Sequence, residues 1–153
     1  MTRGIILLLA SGGGVGCSPY FPGTLGTLIA IPLSLGLNRL AATDASTAGV
    51  ALVGLILIAI GLADQAARIL GKKDPPIVVI DEIAGFALAN FMTEGIAGLI
   101  LAFVLFRFFD IAKVFPAAPL EALPGGAGIV LDDIMAGLYT FLVLRLLSST
   151  SLI

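Results

Sequence analysis

The sequence contains no histidine, no tryptophan and only one cysteine, Cys17. Without histidine the chain cannot form a Ser-His-Asp triad, a histidine-phosphatase centre or a histidine-based zinc site. One cysteine allows neither an internal disulfide nor a cysteine-rich metal cluster. Cys17 also does not fit a cysteine-phosphatase nucleophile, because no arginine follows within the next several residues, and a buried or incidental thiol fits it better. Any chemistry must therefore use carboxylates, hydroxyls, lysine, arginine or a metal ion.

Charged residues are also scarce, at 12% of the 153 residues, whereas hydrophobic residues make up 59%. A typical soluble domain carries about 25% charged residues, so this composition indicates that lipid forms part of the surroundings. Eight Lys and Arg against ten Asp and Glu give a net charge of −2, which leaves no basic surface for nucleic acid. An apolar, nearly neutral chain is not expected to be disordered, and its length suits one domain.

Apolar runs predict an all-α, polytopic membrane bundle of about four to five short transmembrane helices. The Ala45–Ala63 run is uncharged and close to the roughly 20 residues that a crossing helix needs. Four other runs contain Pro32 or carry charge at one end: Leu25–Leu37, Ile77–Thr93, Gly95–Ile111 and Ile129–Leu147. A Gly/Pro-rich loop is expected from Ser11 to Thr27, and another loop around Pro116, Pro119, Pro124 and Gly125-Gly126.

The first apolar run, Ile5–Ala10, is too short for a secretory signal and lacks a cleavage site, so we expect it to remain on the chain. The sequence leaves open whether this run enters the membrane or packs on the bundle. If Arg68, Lys72 and Lys73 are cytoplasmic, as the positive-inside tendency favours, alternating the spans brings the unusual polar residues to one face. The group consists of the Gly/Pro-rich loop and of seven charged residues: Asp81, Glu82, Arg107, Asp110, Lys113, Asp132 and Asp133. Their convergence predicts a functional site at the cytoplasmic face of the membrane.

The acidic pairs Asp81-Glu82 and Asp132-Asp133 lie in similar strings, VIDEIAG and VLDDIMAG, inside apolar runs. A charge in such a run costs a few kcal/mol unless it is paired or hydrated, which marks it as functional. Adjacent helical residues point about 100° apart, so one acid of each pair can face inward while the other caps the helix or touches solvent. One pair alone would fit acids that complement a helix dipole, but two pairs facing Asp110 favour a divalent-metal site.

Phosphate-binding groups are also present. Arg107, Asp110 and Lys113 follow one drifting helix face, where Arg107 and Lys113 could bind phosphate or Arg107 could simply pair with Asp110. The Gly-rich loop matches neither a Walker A motif nor a dinucleotide fingerprint. Its PGTLGT string instead offers backbone N–H groups and the hydroxyls of Thr24 and Thr27 before a helix, which suits an anion but also suits a tight turn.

Four strings resemble the phosphatidylglycerophosphatase A family of membrane-bound, Mg²⁺-dependent bacterial enzymes, which convert phosphatidylglycerophosphate to phosphatidylglycerol and phosphate. They are SPYFPGTLGT (18–27), VIDEIAG (79–85), FRFFDIAKVFP (106–116) and GGAGIVLDDIMAGLY (125–139), and they cover most of the chain. Two departures are Ile80, where the family usually has Trp or another bulky residue, and Lys113-Val114-Phe115-Pro116, where it usually reads Lys-Pro-Trp-Pro.

The resemblance implies a single integral-membrane phosphatase domain over residues 1–153 in the bacterial inner membrane, acting on a phospholipid within phosphatidylglycerol biosynthesis. It implies that Asp81, Glu82, Asp110, Asp132 and Asp133 form the acidic centre and that Arg107 and Lys113 meet the phosphate. We expect Mg²⁺ on Asp81, Glu82, Asp132 and Asp133, and phosphate contacts from Ser18, Thr24 and Thr27. One carboxylate would act as general base or as covalent nucleophile, and the sequence does not separate these.

Two competing interpretations remain at this stage. Intramembrane acids also mark ion pathways, so a small ion or metal transporter is the alternative function. Acids near one face, with basic residues beside them, count against it. A soluble helical domain with a very apolar core is a further reading, because only one run is a clean span.

Overall fold

In the computed structural model, which describes residues 2–150, the chain forms a bundle of helices with no strand in that range. Seven α-helices are formed: α1 Arg3–Ala10, α2 Pro22–Thr43, α3 Ala45–Leu70, α4 Ile80–Ala89, α5 Gly95–Ala112, α6 Ala117–Glu121 and α7 Gly126–Ser149. A short 3-10 helix, Val15–Cys17, lies between α1 and α2. The all-α expectation is confirmed.

Four of these helices, α2, α3, α5 and α7, are long and apolar enough to cross a membrane. Large apolar side chains remain exposed along them, including Val50, Leu57 and Ile58 on α3 and Ile96 and Ile100 on α5. In water such surfaces would be an aggregation hazard, whereas in a bilayer they contact lipid tails. The bundle therefore has the surface of a membrane protein.

The Ile77–Thr93 run does not form a full-length span. Its helix, α4, has ten residues and is about 15 Å long, half of the roughly 30 Å hydrocarbon core. The chain turns at Asn90, whose side-chain amide donates to Ser34 Oγ over 2.9 Å. The helix ends here because the carbonyl groups of Asn90 and Thr93 accept hydrogen bonds from a side chain of another helix.

Asn38 of α2 holds this turn in place. Its Nδ2 donates to the carbonyl oxygens of Asn90 and Thr93, each over 2.9 Å, and its Oδ1 accepts from the Met92 N–H over 2.7 Å. The guanidinium of Arg145, near the end of α7, donates to the Met92 carbonyl. Backbone groups that would be costly in lipid are thus satisfied by side chains of α2 and α7.

Several helix boundaries differ from the sequence-based expectation. The Gly/Pro-rich loop ends at Phe21, since Pro22 occupies the first turn of α2, where its missing N–H costs nothing. α2 continues through Pro32 to Thr43, and the predicted loop near Pro119 contains α6. α1 packs against α3 and buries Ile6 and Ala10, so the first apolar run belongs to the bundle.

The centre of the bundle is the crossing of α4 and α7. α7 also packs against α3, α5 and α6, and α2 packs against α3 and α4. Gly85 and Gly137 allow the close approach: a Cβ on Gly85 would lie 2.7 Å from the Asp133 carbonyl oxygen, and one on Gly137 would meet the Gly85 carbonyl. Phe86 and Phe106 fill the adjacent core with an edge-on ring contact at 5.9 Å.

We predict that Gly137→Ala destabilises the bundle by about 1–3 kcal/mol, because the added methyl overpacks the crossing against backbone that cannot move cheaply. The measurement is thermal unfolding of the purified protein in detergent. Gly54→Ala on α3 is the matched control, since nothing lies within 4 Å of its Cβ position. A Gly137→Ala variant as stable as Gly54→Ala would contradict the role given to this crossing.

Candidate active site

The charged residues that interrupt the apolar runs meet at one end of the bundle. α2, α4 and α7 begin at this end and α5 terminates there, so residues far apart in the chain become neighbours. They surround a cavity of about 270 Å³. Its charged lining residues are Lys73, Asp74, Asp81, Glu82, Asp110, Lys113, Glu121, Asp132 and Asp133, with Pro22 and Gly23 contributed by the start of α2.

Three carboxylates form the closest cluster in this cavity. One oxygen each from Asp81, Glu82 and Asp133 can be chosen so that all three lie within 4.8 Å of one another. Asp81 is 9% exposed and Asp133 only 4% exposed, and Glu82 Oε2 is buried without a hydrogen-bond partner. Carboxylates so placed repel one another strongly, and an oxygen-binding cation would relieve that repulsion.

Local structure explains why these three acids come together. Asp81 and Glu82 occupy the first turn of α4, where the positive end of the helix dipole favours a negative charge. The Gly85–Gly137 crossing draws the backbone of α7 at Asp133 up to α4. Gly23 has a parallel role, because a Cβ there would collide with Glu82 Oε1.

Asp132, which the sequence predicted as a metal ligand, is not one of the three acids of this closest cluster. Its Oδ2 accepts a hydrogen bond from Lys113 Nζ over 2.8 Å, and the same ammonium group lies 2.8 Å from Glu121 of α6. Asp132 and Asp133 thus contact different groups, as expected for adjacent helical residues that point about 100° apart. Asp81 and Glu82 are also adjacent, but the longer side chain of Glu82 reaches the same cluster as Asp81.

Lys113 is strongly held in its charged form. Burial opposes that form, but the hydrogen bonds that Lys113 donates to Asp132 and Glu121 outweigh the burial and raise the pKa of Lys113 above its usual range. The hydrogen bond from Lys113 lowers the pKa of Glu121 in turn. Lys113 is therefore a persistent positive charge on the wall of an acidic cavity.

Arg107 pairs with Asp110 within one helical turn of α5, with Nη1 and Oδ2 2.6 Å apart. The sequence left open whether this arginine binds phosphate or pairs with Asp110. In the structure it pairs with Asp110 and also lies beside the site. The Arg107 Nη1 atom lies 3.3 Å from the position that a Cβ on Gly23 would occupy, and its Nε is buried without a hydrogen-bond partner. The guanidinium therefore faces the start of α2.

The hydroxyl groups predicted to bind phosphate do not line the cavity. Thr27 is fully buried and its hydroxyl donates to the Gly23 carbonyl over 3.0 Å, because α2 has already begun and the side chain folds back on its own helix. The Ser18 hydroxyl bonds to the backbone of Tyr20, and Thr24 lies in the first turn of α2 without lining the cavity. The first turn of α2 does offer backbone N–H groups at Gly23 and Thr24, with no side-chain cap.

Sequence reasoning overlooked three charged residues of the cavity. Lys73 was used only to orient the spans and Asp74 was given no role, although the segment before α4 brings both to the cavity wall. Glu121 gave no signal in its Pro-rich surroundings, and only the position of α6 places it beside Lys113. The one available indication in the sequence was that Glu121 is a charged residue between two prolines in the loop that follows Lys113.

The charge balance of the cavity restricts what it can bind. Seven carboxylates and two lysines line it, so its formal charge is strongly negative. A phosphate group would be repelled there unless cations lower the negative charge. Arg107 cannot do this by itself, because it is already paired with Asp110. The arrangement suits a cation bound by carboxylates next to an anion bound by basic and backbone donors.

Comparisons with known proteins identify the family of this chain. The family model described as Phosphatidylglycerophosphatase A matches residues 8–148. Two similar curated proteins are named Phosphatidylglycerophosphatase A: one from Escherichia coli K12, 37% identical over 85% of this chain and 76% of its own, and one from Haemophilus influenzae, 35% identical over 90% and 85%.

A third relative, from Bacteroides thetaiotaomicron, is 34% identical over 90% of both chains and carries the provisional name phosphatidylinositol-3-phosphatase. No solved structure matches the chain. The family model covers nearly all of the sequence, including every charged residue of the cavity. The chain therefore belongs to the phosphatidylglycerophosphatase A family.

Proposed function

We propose that this protein is a Mg²⁺-dependent phosphatase that converts phosphatidylglycerophosphate to phosphatidylglycerol and inorganic phosphate. Family membership supports the enzyme class and this substrate. The observation that carries the chemistry is the buried carboxylate cluster beside Arg107 and the first turn of α2, at the end of helices that suit a bilayer. A transporter would place its acids along a path across the membrane, whereas these acids lie at one end.

The residues present fit a divalent cation. Asp81, Glu82 and Asp133 offer oxygens within 4.8 Å of one another, and the buried Glu82 Oε2 lacks a hydrogen-bond partner. Oxygen ligands of this kind are what Mg²⁺ prefers. When bound, the ion supplies Lewis-acid polarisation of the phosphoryl oxygens. Asp132 binds Lys113 through Oδ2, but its Oδ1 is buried without a hydrogen-bond partner, so Asp132 stays a candidate further ligand.

The phosphate is held by groups on the other side of the cluster. The guanidinium of Arg107 lies beside the first turn of α2, outside the residues that line the cavity, and a guanidinium and free backbone N–H groups are donors that suit a phosphate dianion. Lys113 contributes a second positive charge. Glu121, whose side chain is 44% exposed, is the partner that a phosphate oxygen displaces from Lys113, while the 10% exposed Asp132 keeps the ammonium group in position.

Proton transfer in this cavity falls to carboxylates. The chain has no histidine, and Arg107 and Lys113 are each ion-paired with a carboxylate. For direct attack, the water oxygen bonds to phosphorus as the P–O bond to the lipid breaks, a carboxylate of the cluster takes the water's proton, and the departing glycerol oxygen takes up a proton to become the hydroxyl of phosphatidylglycerol. For covalent catalysis, the same carboxylate bonds to phosphorus as the lipid oxygen leaves and is protonated, and water then hydrolyses the acyl phosphate, which releases inorganic phosphate and restores the carboxylate.

The rate of phosphate release tests both the lipid substrate and the metal. Purified protein in mixed micelles should release phosphate from phosphatidylglycerophosphate with Mg²⁺ and lose that activity in excess EDTA, with recovery when Mg²⁺ is restored. The same assay on phosphatidylinositol 3-phosphate tests the activity named for the Bacteroides relative, and we expect slower release, because that phosphate lies on a bulky ring secondary alcohol. Full turnover in EDTA would contradict the metal, and faster release from the inositol lipid would replace the proposed substrate.

Removing single negative charges from the carboxylate cluster tests its part in the reaction. Asp81→Asn and Asp133→Asn should each lower the rate of phosphate release by at least about 100-fold, because each removes a negative ligand while keeping side-chain shape. Asp44→Asn is the matched control: Asp44 caps α3 at the opposite end of the bundle, and asparagine caps equally well. Circular dichroism and gel filtration in detergent should show the same fold for all three. A variant at 81 or 133 with a near-wild-type rate would remove that residue from the site.

We also propose that the cavity faces the cytoplasm, since Arg68, Lys72 and Lys73 lie at the same end of α3. Cys17 is exposed and its neighbour Gly16 packs against Ile77, just before α4, so it reports on this end. A membrane-impermeant maleimide should label Cys17 in inverted vesicles and not in intact spheroplasts. Ser46→Cys in a Cys17→Ser background, at the opposite end of α3, should show the reverse pattern. Labelling of Cys17 from outside would overturn the orientation.

A further inference from the structure

An apolar groove of about 280 Å³ lies between α2 and α5, apart from the charged cavity. No polar surface contributes to it. Its lining residues are Leu28 and Ile31 of α2 and Ile96, Leu99, Ile100 and Phe103 of α5. α2 and α5 each pack against α4 behind the groove, where the ring of Phe103 contacts Phe86 edge-on at 6.1 Å.

The groove lies between the same two helices whose ends hold the phosphate-binding groups. Along α2, Leu28 and Ile31 follow Gly23 by about 8 and 12 Å. Along α5, Phe103 precedes Arg107 by about 6 Å and Ile96 precedes it by about 16 Å. The groove therefore starts close to the proposed phosphate position and runs from there toward the other end of the bundle.

The groove is open to the surroundings along its length. Ile96 is 71% exposed and Ile100 58% exposed on its rim, while Leu99, Ile31 and Phe103 are half-buried and form its floor. Both helices are among those long and apolar enough to cross a membrane. A molecule that fills the groove would thus arrive sideways from the bilayer, with an apolar segment that continues from a phosphate-bearing head.

We propose that this groove binds one acyl chain of the phospholipid substrate while its phosphate occupies the charged cavity. The inference rests on the proposed function and adds a binding site for the apolar part of the substrate. The position of the groove identifies the occupant, because the glycerol and phosphodiester of the head group would cover the stretch between Arg107 and the groove, and an acyl chain would then continue between α2 and α5.

The benefit of such a groove is positional. Lipid tails are as apolar as the groove, so moving an acyl chain from bilayer to groove yields little hydrophobic free energy. A chain seated between the two helices instead fixes the direction of the head group relative to the carboxylate cluster, which favours the productive orientation. The groove should therefore affect kcat/KM for long-chain substrates and leave the chemistry of short-chain substrates alone.

The test fills the groove with a larger side chain. Leu99→Trp occupies its floor, and Ile100→Trp, on the exposed rim, serves as a second variant that disturbs packing less. Ile58→Trp on α3 is the control, because that side chain is 60% exposed and outside the groove. Each variant is assayed on phosphatidylglycerophosphate with oleoyl chains and on the same head group with butyryl chains, which are too short to fill the groove.

We expect both groove variants to lower kcat/KM for the oleoyl substrate by about tenfold, and to stay within about twofold of wild type on the butyryl substrate. Ile58→Trp should leave both unchanged. An equal loss on both substrates would mean that the substitution damages the catalytic cavity, and it would overturn the proposal. Unchanged activity of both groove variants on the oleoyl substrate would overturn it as well.

A binding measurement separates this inference from the proposed activity. The natural chain has no tryptophan, so each variant carries one fluorophore. Phosphatidylglycerophosphate with brominated acyl chains should quench Leu99→Trp more than brominated phosphatidylcholine does, whereas Ile58→Trp should be quenched equally by both. If wild type releases no phosphate, the proposed function fails; preferential quenching then still supports a phospholipid groove, and equal quenching overturns it.

Discussion

The burial of several carboxylates in an apolar bundle is the constraint on which the rest of this structure depends. Asp81, Glu82 and Asp133 lie together at the crossing of α4 and α7, where few water molecules can hydrate them. Such a cluster persists only if other positive centres surround it. The start of α4, the ammonium of Lys113 and the guanidinium of Arg107 each supply part of that compensation.

The same constraint accounts for the glycines around the site. Gly85 and Gly137 let α4 and α7 approach until the two acidic strings meet, and Gly23 lets the start of α2 reach Glu82. Side chains at these positions would hold the helices apart and separate the carboxylates from the groups that balance them. Close packing of small residues is also how membrane helices associate, since lipid offers no hydrophobic force between them. Stability and site geometry therefore use the same contacts.

Much of this arrangement could be predicted from the sequence. The long apolar runs predicted the long helices because composition alone decides whether a helix can face lipid, and alternation of the spans predicted that the charged residues meet at one end. The run from Ile77 to Thr93 was misjudged as a full span, because the turn at Asn90 depends on Asn38, more than fifty residues away. Helix rotation could not be predicted either, so the pairing of Asp132 with Lys113 and the inward fold of Thr27 appear only in three dimensions. The metal, the roles of the individual residues and the orientation in the membrane stay predictions.

The polar turn after α4 has a consequence for the bilayer itself. Arg145, which binds that turn, follows Asp133 by twelve residues of α7, so the charged layers at the two ends of this helix are only about 18 Å apart along its axis. A relaxed hydrocarbon core is about 30 Å thick, so these two charged layers cannot both lie at its surfaces. We expect the difference to be taken up by local thinning of the membrane or by the long side chain of Arg145 reaching toward the head groups. Thinning would bring the lipid head groups beside the protein nearer to the depth of the carboxylates than they are in the free bilayer.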